Sequence, residues 1–291
     1  MGRLQLLVTW CIICCLFGCI EYDGGFPLTE KIPVVNGVLM ADSVIAVQLS
    51  WSGHPDSTRF EPIGDARVEL FENDESLGLA KEWNPGNYRL PHLASANKHY
   101  RLSVSAPQGI AMSAEDFVPQ KPDMTCTLIR KDEWGENVFE LEVSALPDPI
   151  SALYIYAYSP NEDGSWEQSD MYYCNSPLAD SFNRAHNSMG PDGFSYSFDL
   201  FVRCPAEGFI NGKGSLLLAA DANRIQVIAV SETFDLYYKA AFWQRYYDPE
   251  IQLPFTWQAI HLPSNIEGGA GLFAGMFVVE FDLSQPEVAE N

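Results

Sequence analysis

Ser264-Asn-Ile-Glu-Gly-Gly-Ala-Gly-Leu-Phe-Ala-Gly275 is the stretch whose reading decides the fold. Its letters from Gly269 through Gly271 to Ala274 match Gly-x-Gly-x-x-Ala, the phosphate turn of dinucleotide-binding proteins. That chemistry needs a strand before the turn, a helix after it and an acidic residue about 20 positions on. Here an apolar strand pattern, Met276 to Leu283, follows at once. A membrane span needs about 20 apolar residues, and the run from Gly268 to Val279 is too short. Backbone geometry remains. The glycines allow close approach of one backbone to another, while Leu272 and Phe273 plug a core. The stretch reads as a buried crossover that delivers the last strand to a sheet.

Working outward, the rest of the chain reads mainly as strands. Ile45, Val47, Leu49 and Trp51 alternate with polar or small residues, as do Tyr100, Leu102 and Val104. Period-two alternation marks a half-buried strand. Ala66 to Phe71 and Gly86 to Leu90 lie between them, and Asn73-Asp74, Asn84-Pro85-Gly86 and Pro107-Gln108-Gly109 supply turns. The expected fold is mainly β, with an N-terminal Ig-like or prealbumin-like β-sandwich over 31–120. Gly64-Asp-Ala-Arg-Val-Glu-Leu70 followed by Gly86-Asn-Tyr88 resembles prealbumin-like and carboxypeptidase-regulatory modules. Val118-Pro-Gln-Lys-Pro122 is the joint, because two prolines disfavour a central strand.

A second β-rich domain is expected over 121–291. Its strands are Phe139 to Ala145, Leu153 to Tyr158, Tyr196 to Val202, Leu216 to Ala219 and Arg224 to Val230. Ile225 to Val230 is apolar on both faces and reads as a central strand. One amphipathic helix is expected over 231–247. Ser231 caps it, Glu232 and Asp235 suit its N-terminus, and Asp248-Pro249 stops it. Phe234, Tyr238, Ala241, Phe242 and Arg245 share one face, a stripe that reads as core.

The N-terminus carries the clearest targeting pattern. Arg3 precedes an apolar run from Leu4 to Phe17, and Gly18 and Cys19 follow. These are the parts of a secretory signal over 1–18. Leu16-Phe17-Gly18-Cys19 resembles the bacterial lipobox, whose cysteine is acylated and becomes the new N-terminus. A transmembrane anchor is the other reading, and the run is short for one. Acylated Cys19 would hold the protein in outer-membrane lipid, and residues 19–30, with Gly24-Gly25 and Pro27, read as a tether. Cys11, Cys14 and Cys15 leave with the signal. Of the rest, Cys174 and Cys204 flank a polar region and are the expected disulfide, closing a loop worth roughly 3–4 kcal/mol. Three separate thiols at Cys126, Cys174 and Cys204 are the alternative.

The formal charge of −22 argues against nucleic acid as a partner and against a polybasic membrane patch. The sequence has no Gly-x-Ser-x-Gly elbow and no His-Glu-x-x-His, and its five histidines are scattered. Asn161 to Ser165, with Glu167 and Asp170, offers oxygen atoms but not the spacing of a calcium loop, and reads as a solvated turn. No catalytic residue, metal or cofactor is assigned. The segment 159–195 is long, polar and aromatic. Trp166, Tyr172 and Tyr173 there are the candidate ligand or partner surface, with ordinary packing as the alternative.

Asn265 to Gly275, preceded by an aromatic helix and Ser231-Glu232, resembles the C-terminal signature of the DUF4249 lipoproteins of Bacteroidetes. Pro33-Val-Val-Asn-Gly-Val-Leu39 and Asp42-Ser-Val-Ile45 resemble that family's opening strands. The resemblance implies a two-part β-rich outer-membrane lipoprotein working beside a TonB-dependent receptor barrel, with no catalytic residues to carry over. Glu21 and Asp23 resemble the acidic signals that send such lipoproteins to the cell surface. The function expected is a non-catalytic accessory subunit of nutrient uptake. The alternatives are a structural scaffold of the envelope and a hydrolase with an acidic site.

Overall fold

A computed structural model describes residues 31–53, 60–131, 135–169, 172–175, 178–179, 188–189, 195–197, 201–246 and 262–283. Cys19, the signal and the tether lie outside the described residues, as does the expected helix stop at Asp248-Pro249. The body from Ile32 onward forms one compact unit.

Its first half contributes β1 (Pro33–Met40), β2 (Val44–Trp51), β3 (Glu61–Pro62), β4 (Arg67–Glu72), β5 (Glu75–Asn84), β6 (Asn87–Leu93), β7 (Lys98–Ala106) and β8 (Ile110–Val118). The alternation read in β2 and β7 is the burial pattern observed: Ile45, Val47 and Leu49 face inward, as do Tyr100, Leu102 and Val104. The second half adds β9 (Asp123–Lys131), β10 (Asn137–Ala145), β11 (Ala152–Pro160), β12 (Trp166–Gln168), β13 (Tyr172–Asn175), β14 (Ser188–Met189), β15 (Ser195–Ser197), β16 (Val202–Pro205), β17 (Gly214–Ala220) and β18 (Arg224–Val230). The helix α1 (Glu232–Tyr246) and the long β19 (Ala270–Asp282) complete it.

Two sheets result. The larger runs β12-β11-β18-β19-β1-β2-β6-β5-β4-β7-β8, with β16 also on β11 and β3 on β2; the smaller runs β14-β15-β13-β17-β10-β9. The first core gathers Val35, Leu49, Leu70, Tyr88, Leu102 and neighbours inside the fold of β1–β8. The second, with Phe139, Leu141, Leu153, Leu218 and Val227, fills the space between the smaller sheet and β11–β18–β19. The two prolines at 119 and 122 fall between β8 and β9, where one core gives way to the other.

β19 joins the two cores. It pairs parallel with β1 and antiparallel with β18. Phe273 sits in the first core and Val279 in the second. Ile266 and Phe273 therefore pack with the sandwich, although they fall within 121–291 by number. The glycine-rich stretch is itself the start of this strand, not a crossover ahead of it. A Cβ on Gly271, whose φ is +113°, would meet the Val35 carbonyl oxygen at 1.9 Å, and one on Gly275 would meet that of Phe117 at 2.1 Å. Glycine is required because β19 is threaded between the backbones of β1 and β8. Asn265 clips the turn before it: its Nδ2 donates to the Phe273 and Glu115 carbonyls, and its Oδ1 accepts from Phe273 N.

No disulfide joins Cys174 to Cys204; both carry reduced thiols, as does Cys126. The reason is topological. Cys174 lies on β13 opposite Leu218 of the smaller sheet, and Cys204 lies on β16 opposite Leu153 of the larger. Burial pushes the Cys126 and Cys174 thiols up to about 12, so neither is a reactive thiolate at neutral pH. Alkylation in denaturant without reductant should therefore label all three of these cysteines, whereas native alkylation should leave Cys174 unlabelled. Mass spectrometry reads both results.

Candidate functional site

Pairing sets the site. On the outer face of the larger sheet, Tyr154, Tyr156 and Tyr158 of β11 stand opposite Ile228, Gln226 and Arg224 of β18. These in turn stand opposite Val278, Glu280 and Asp282 of β19. Gln168 and Trp166 of β12 oppose Tyr158 and Pro160. Residues two apart on a strand share a face, so the whole set lies on one surface. α1 covers half of it.

The covered half is an aromatic seam. Ser231 Oγ accepts from Phe234 N at 3.2 Å, the N-cap bond expected from the sequence. Phe234, Tyr238 and Phe242 then pack on Tyr154, Tyr156 and Phe201. Ring centroids are 5.2 Å apart for Tyr154–Tyr238 and 5.3 Å for Phe201–Phe242, both edge-on. The aromatic stripe is core, as its spacing implied.

At the foot of the helix lies an ionic cluster that the sequence did not announce. Arg203 Nε and Nη2 donate to Asp235 Oδ1 and Oδ2, both at 2.7 Å. Tyr154 Oη donates to Oδ1 at 2.7 Å, and Lys239 Nζ lies 3.2 Å from Oδ2. Arg203 is 5% exposed and Asp235 2%. Burial alone would raise the Asp235 carboxyl, but the Arg203 and Tyr154 hydrogen bonds and the Arg203 and Lys239 charges outweigh it and hold it below the usual carboxylate range. Burial raises the Tyr154 hydroxyl, and the Asp235 charge raises it further. Both Asp235 carboxylate oxygens accept hydrogen bonds, and the cluster fastens α1 to the sheet. A second fastener, Asp116 of β8, accepts from Ser231 Oγ at 2.5 Å, Gly275 N at 2.7 Å and Thr233 Oγ1 at 3.1 Å. Burial raises its carboxyl despite these donors.

The uncovered half of the face is different. Tyr158, Trp166, Gln168, Arg224 and Gln226 are half-buried, and Glu280 and Asp282 are exposed. The Arg224 guanidinium stacks 3.9 Å over the Trp166 ring, and its Nη2 lies 3.7 Å from Asp282 Oδ2. Gln226 Nε2 donates to Glu280 Oε1 at 2.8 Å, and Tyr158 Oη to Gln226 Oε1 at 3.4 Å. Arg224 Nε is buried with no acceptor. The result is a flat platform of aromatic rings and planar hydrogen-bonding groups. Such a surface suits the face of a sugar ring or the edge of a peptide.

Trp166 is thus on the platform. The strand of Tyr172 and Tyr173, β13, belongs to the smaller sheet, where they stand opposite Ser197 and Tyr196 of β15. The 159–195 segment supplies strands to both sheets. The platform residues that sequence reasoning missed are Arg224, Gln226, Glu280 and Asp282. Their signal was present as two polar residues two positions apart at the start of β18 and two more at the end of β19. The 161–165 segment is a closed turn: Asp163 accepts from Ser165 N at 2.9 Å and from Ser165 Oγ at 2.5 Å, which lowers its carboxyl. Among the described residues no cluster of three or more metal-ligating side chains occurs, and no helix is long and apolar enough to cross a membrane.

No curated protein matches the chain. A family model does: DUF4249, a domain of unknown function, matches residues 21–281. That match takes in both cores, α1 and the glycine-threaded β19, and the chain is a member of the DUF4249 family.

Proposed function

We propose that this chain is an outer-membrane lipoprotein, facing the cell exterior, that serves as a non-catalytic binding and accessory subunit beside a TonB-dependent receptor barrel. The observation that carries the proposal is the N-terminal order: Arg3, an apolar run, Leu16-Phe17-Gly18-Cys19, then a short Gly- and Pro-containing linker ahead of the folded body. Acyl chains on Cys19 contribute about 0.8 kcal/mol per buried methylene, and more than one chain gives stable attachment. Confinement to the membrane plane raises the effective concentration of the protein beside a barrel. The platform around Trp166 and Arg224 is the ligand or partner surface in this reading.

The test is co-purification from gently solubilised outer membranes. The intact lipoprotein should bring down a TonB-dependent receptor, and Cys19→Ala should move the protein to the soluble fraction. Trp166→Ala should reduce receptor recovery about tenfold, the loss of roughly 1.4 kcal/mol that one stacked aromatic supplies. Repeated recovery of the protein alone counts against the transport role. A scaffold without ligand is the second reading. It is favoured by the Arg224 guanidinium that already covers one face of Trp166, and unchanged recovery with Trp166→Ala would support it.

A further inference from the structure

At one end of the first core β1 begins at Pro33, which lies opposite Trp51 at the end of β2, and Trp51 lies opposite Glu61 of β3. One step further out, Ser52 N donates to the Ile32 carbonyl and Ile32 N to Ser52 Oγ. The same register puts Phe60 on the other side of Ser52. Ile32, just before β1, and Phe60, just before β3, thus lie on either side of the end of β2. The β5–β6 turn reaches the same end: Gly86 O accepts from Leu49 N, and Gly86 packs against Pro62 of β3. Trp83 stands just before that turn.

These side chains are open to solvent. Ile32 is 47% exposed, Phe60 69% and Trp83 63%. Among the described residues Phe60 and Trp83 are the exposed Phe and Trp side chains. The neighbouring Glu82 carboxylate is tied to backbone, accepting from Gly86 N and Asp65 N. The second core does not cover this end. β19 runs parallel to β1 from Ala270 opposite Val34 to Met276 opposite Met40 and meets the second core from Phe277 onward, past the far end.

We infer that this end of the sandwich, through Ile32, Phe60 and Trp83, rests in the interfacial layer of the lipid bilayer that holds Cys19. The inference rests on the lipid anchoring proposed above and goes beyond it. Its argument is chain length. About 12 residues separate Cys19 from this end, a reach of at most about 40 Å for any chain of that length. The end of the body that follows Cys19 first along the sequence is therefore the one that carries the exposed aromatics. An aromatic ring with an apolar body and, in Trp, a polar N–H suits the headgroup boundary. The net charge of −22 selects against anionic lipid, so the matching surface is zwitterionic.

Reconstitution of the acylated chain into phosphatidylcholine vesicles brominated near the headgroup end of the acyl chains tests this. Flotation reports anchoring and quenching of tryptophan emission reports contact. The protein should float and be quenched. Trp83→Phe should remove at least half of the quenching, Phe60→Asp should weaken it, and Trp166→Phe should leave it unchanged. Floating protein whose quenching survives Trp83→Phe overturns the inference and leaves the anchoring intact. Protein that does not float overturns both.

Discussion

Asp235→Ala should destabilise the protein by about 3–5 kcal/mol, because it leaves the Arg203 guanidinium buried without its carboxylate. Arg203 Nε and Nη2 both donate to Asp235 at 2.7 Å, and Arg203 is only 5% exposed, so bulk water does not readily replace the lost carboxylate. Tyr154 loses its acceptor in the same change. α1 then lacks one of its two polar fasteners, and urea denaturation should register the loss. A change below about 1 kcal/mol would mean that the aromatic seam and Asp116 suffice to hold the helix. The pH dependence has a definite sign. The Asp235 carboxyl is held below its ordinary value of 3.8, so its stabilisation is complete above that pH and is lost as pH falls through the folded value. Asp116 is shifted upward from 3.8, so its contribution is present below that pH and is lost as pH rises through its folded value. Asp235→Asn should accordingly flatten the acid limb of the stability profile below about pH 4. Asp116→Asn should not.

Gly271→Ala should be nearly as damaging, at about 3–5 kcal/mol or failure to fold. The added methyl would sit 1.9 Å from the Val35 carbonyl oxygen, on a residue whose φ of +113° L side chains rarely adopt. Val35 and Gly271 are register partners, so relief requires β1 and β19 to part. Those two strands are the seam through which the larger sheet passes from one core to the other. Gly109 is the control. Its φ is also positive, at +78°, but nothing lies within 4 Å of the Cβ position. Gly109→Ala should cost only about 1 kcal/mol, the conformational penalty alone. Equal denaturation midpoints for the two variants would overturn the threaded placement of β19.

Local pattern made much of this legible. Period-two alternation gave β2, β7 and β10, a tyrosine face gave β11, a run apolar on both faces gave β18, and helical spacing with a serine cap placed the start of α1 within one residue. β5 and β8 escaped because their patterns are weak. β5 is exposed along most of its length, with Ala80 its only buried residue. β8 buries Met112, Ala114, Phe117 and Val118, a set too small and irregular to stand out. The site was half legible. Trp166 was visible as an aromatic in a polar segment. Its grouping with Tyr172 and Tyr173 followed chain proximity, and a two-sheet fold separates neighbours in sequence whenever consecutive strands join different sheets.

Composition and periodicity thus determined, without coordinates, a mainly β body with one amphipathic helix, the proline-marked change of core and an aromatic stripe that packs inward. Each is local, since burial of an apolar face depends on spacing within a few residues. Tertiary structure alone decided three other matters: that β19 runs parallel to β1 through both cores, that Arg203 meets Asp235, and that Cys174 and Cys204 belong to different sheets and stay unbonded. These relations join residues up to about 240 positions apart, and strand order, which fixes them, leaves no mark on the period of any one strand.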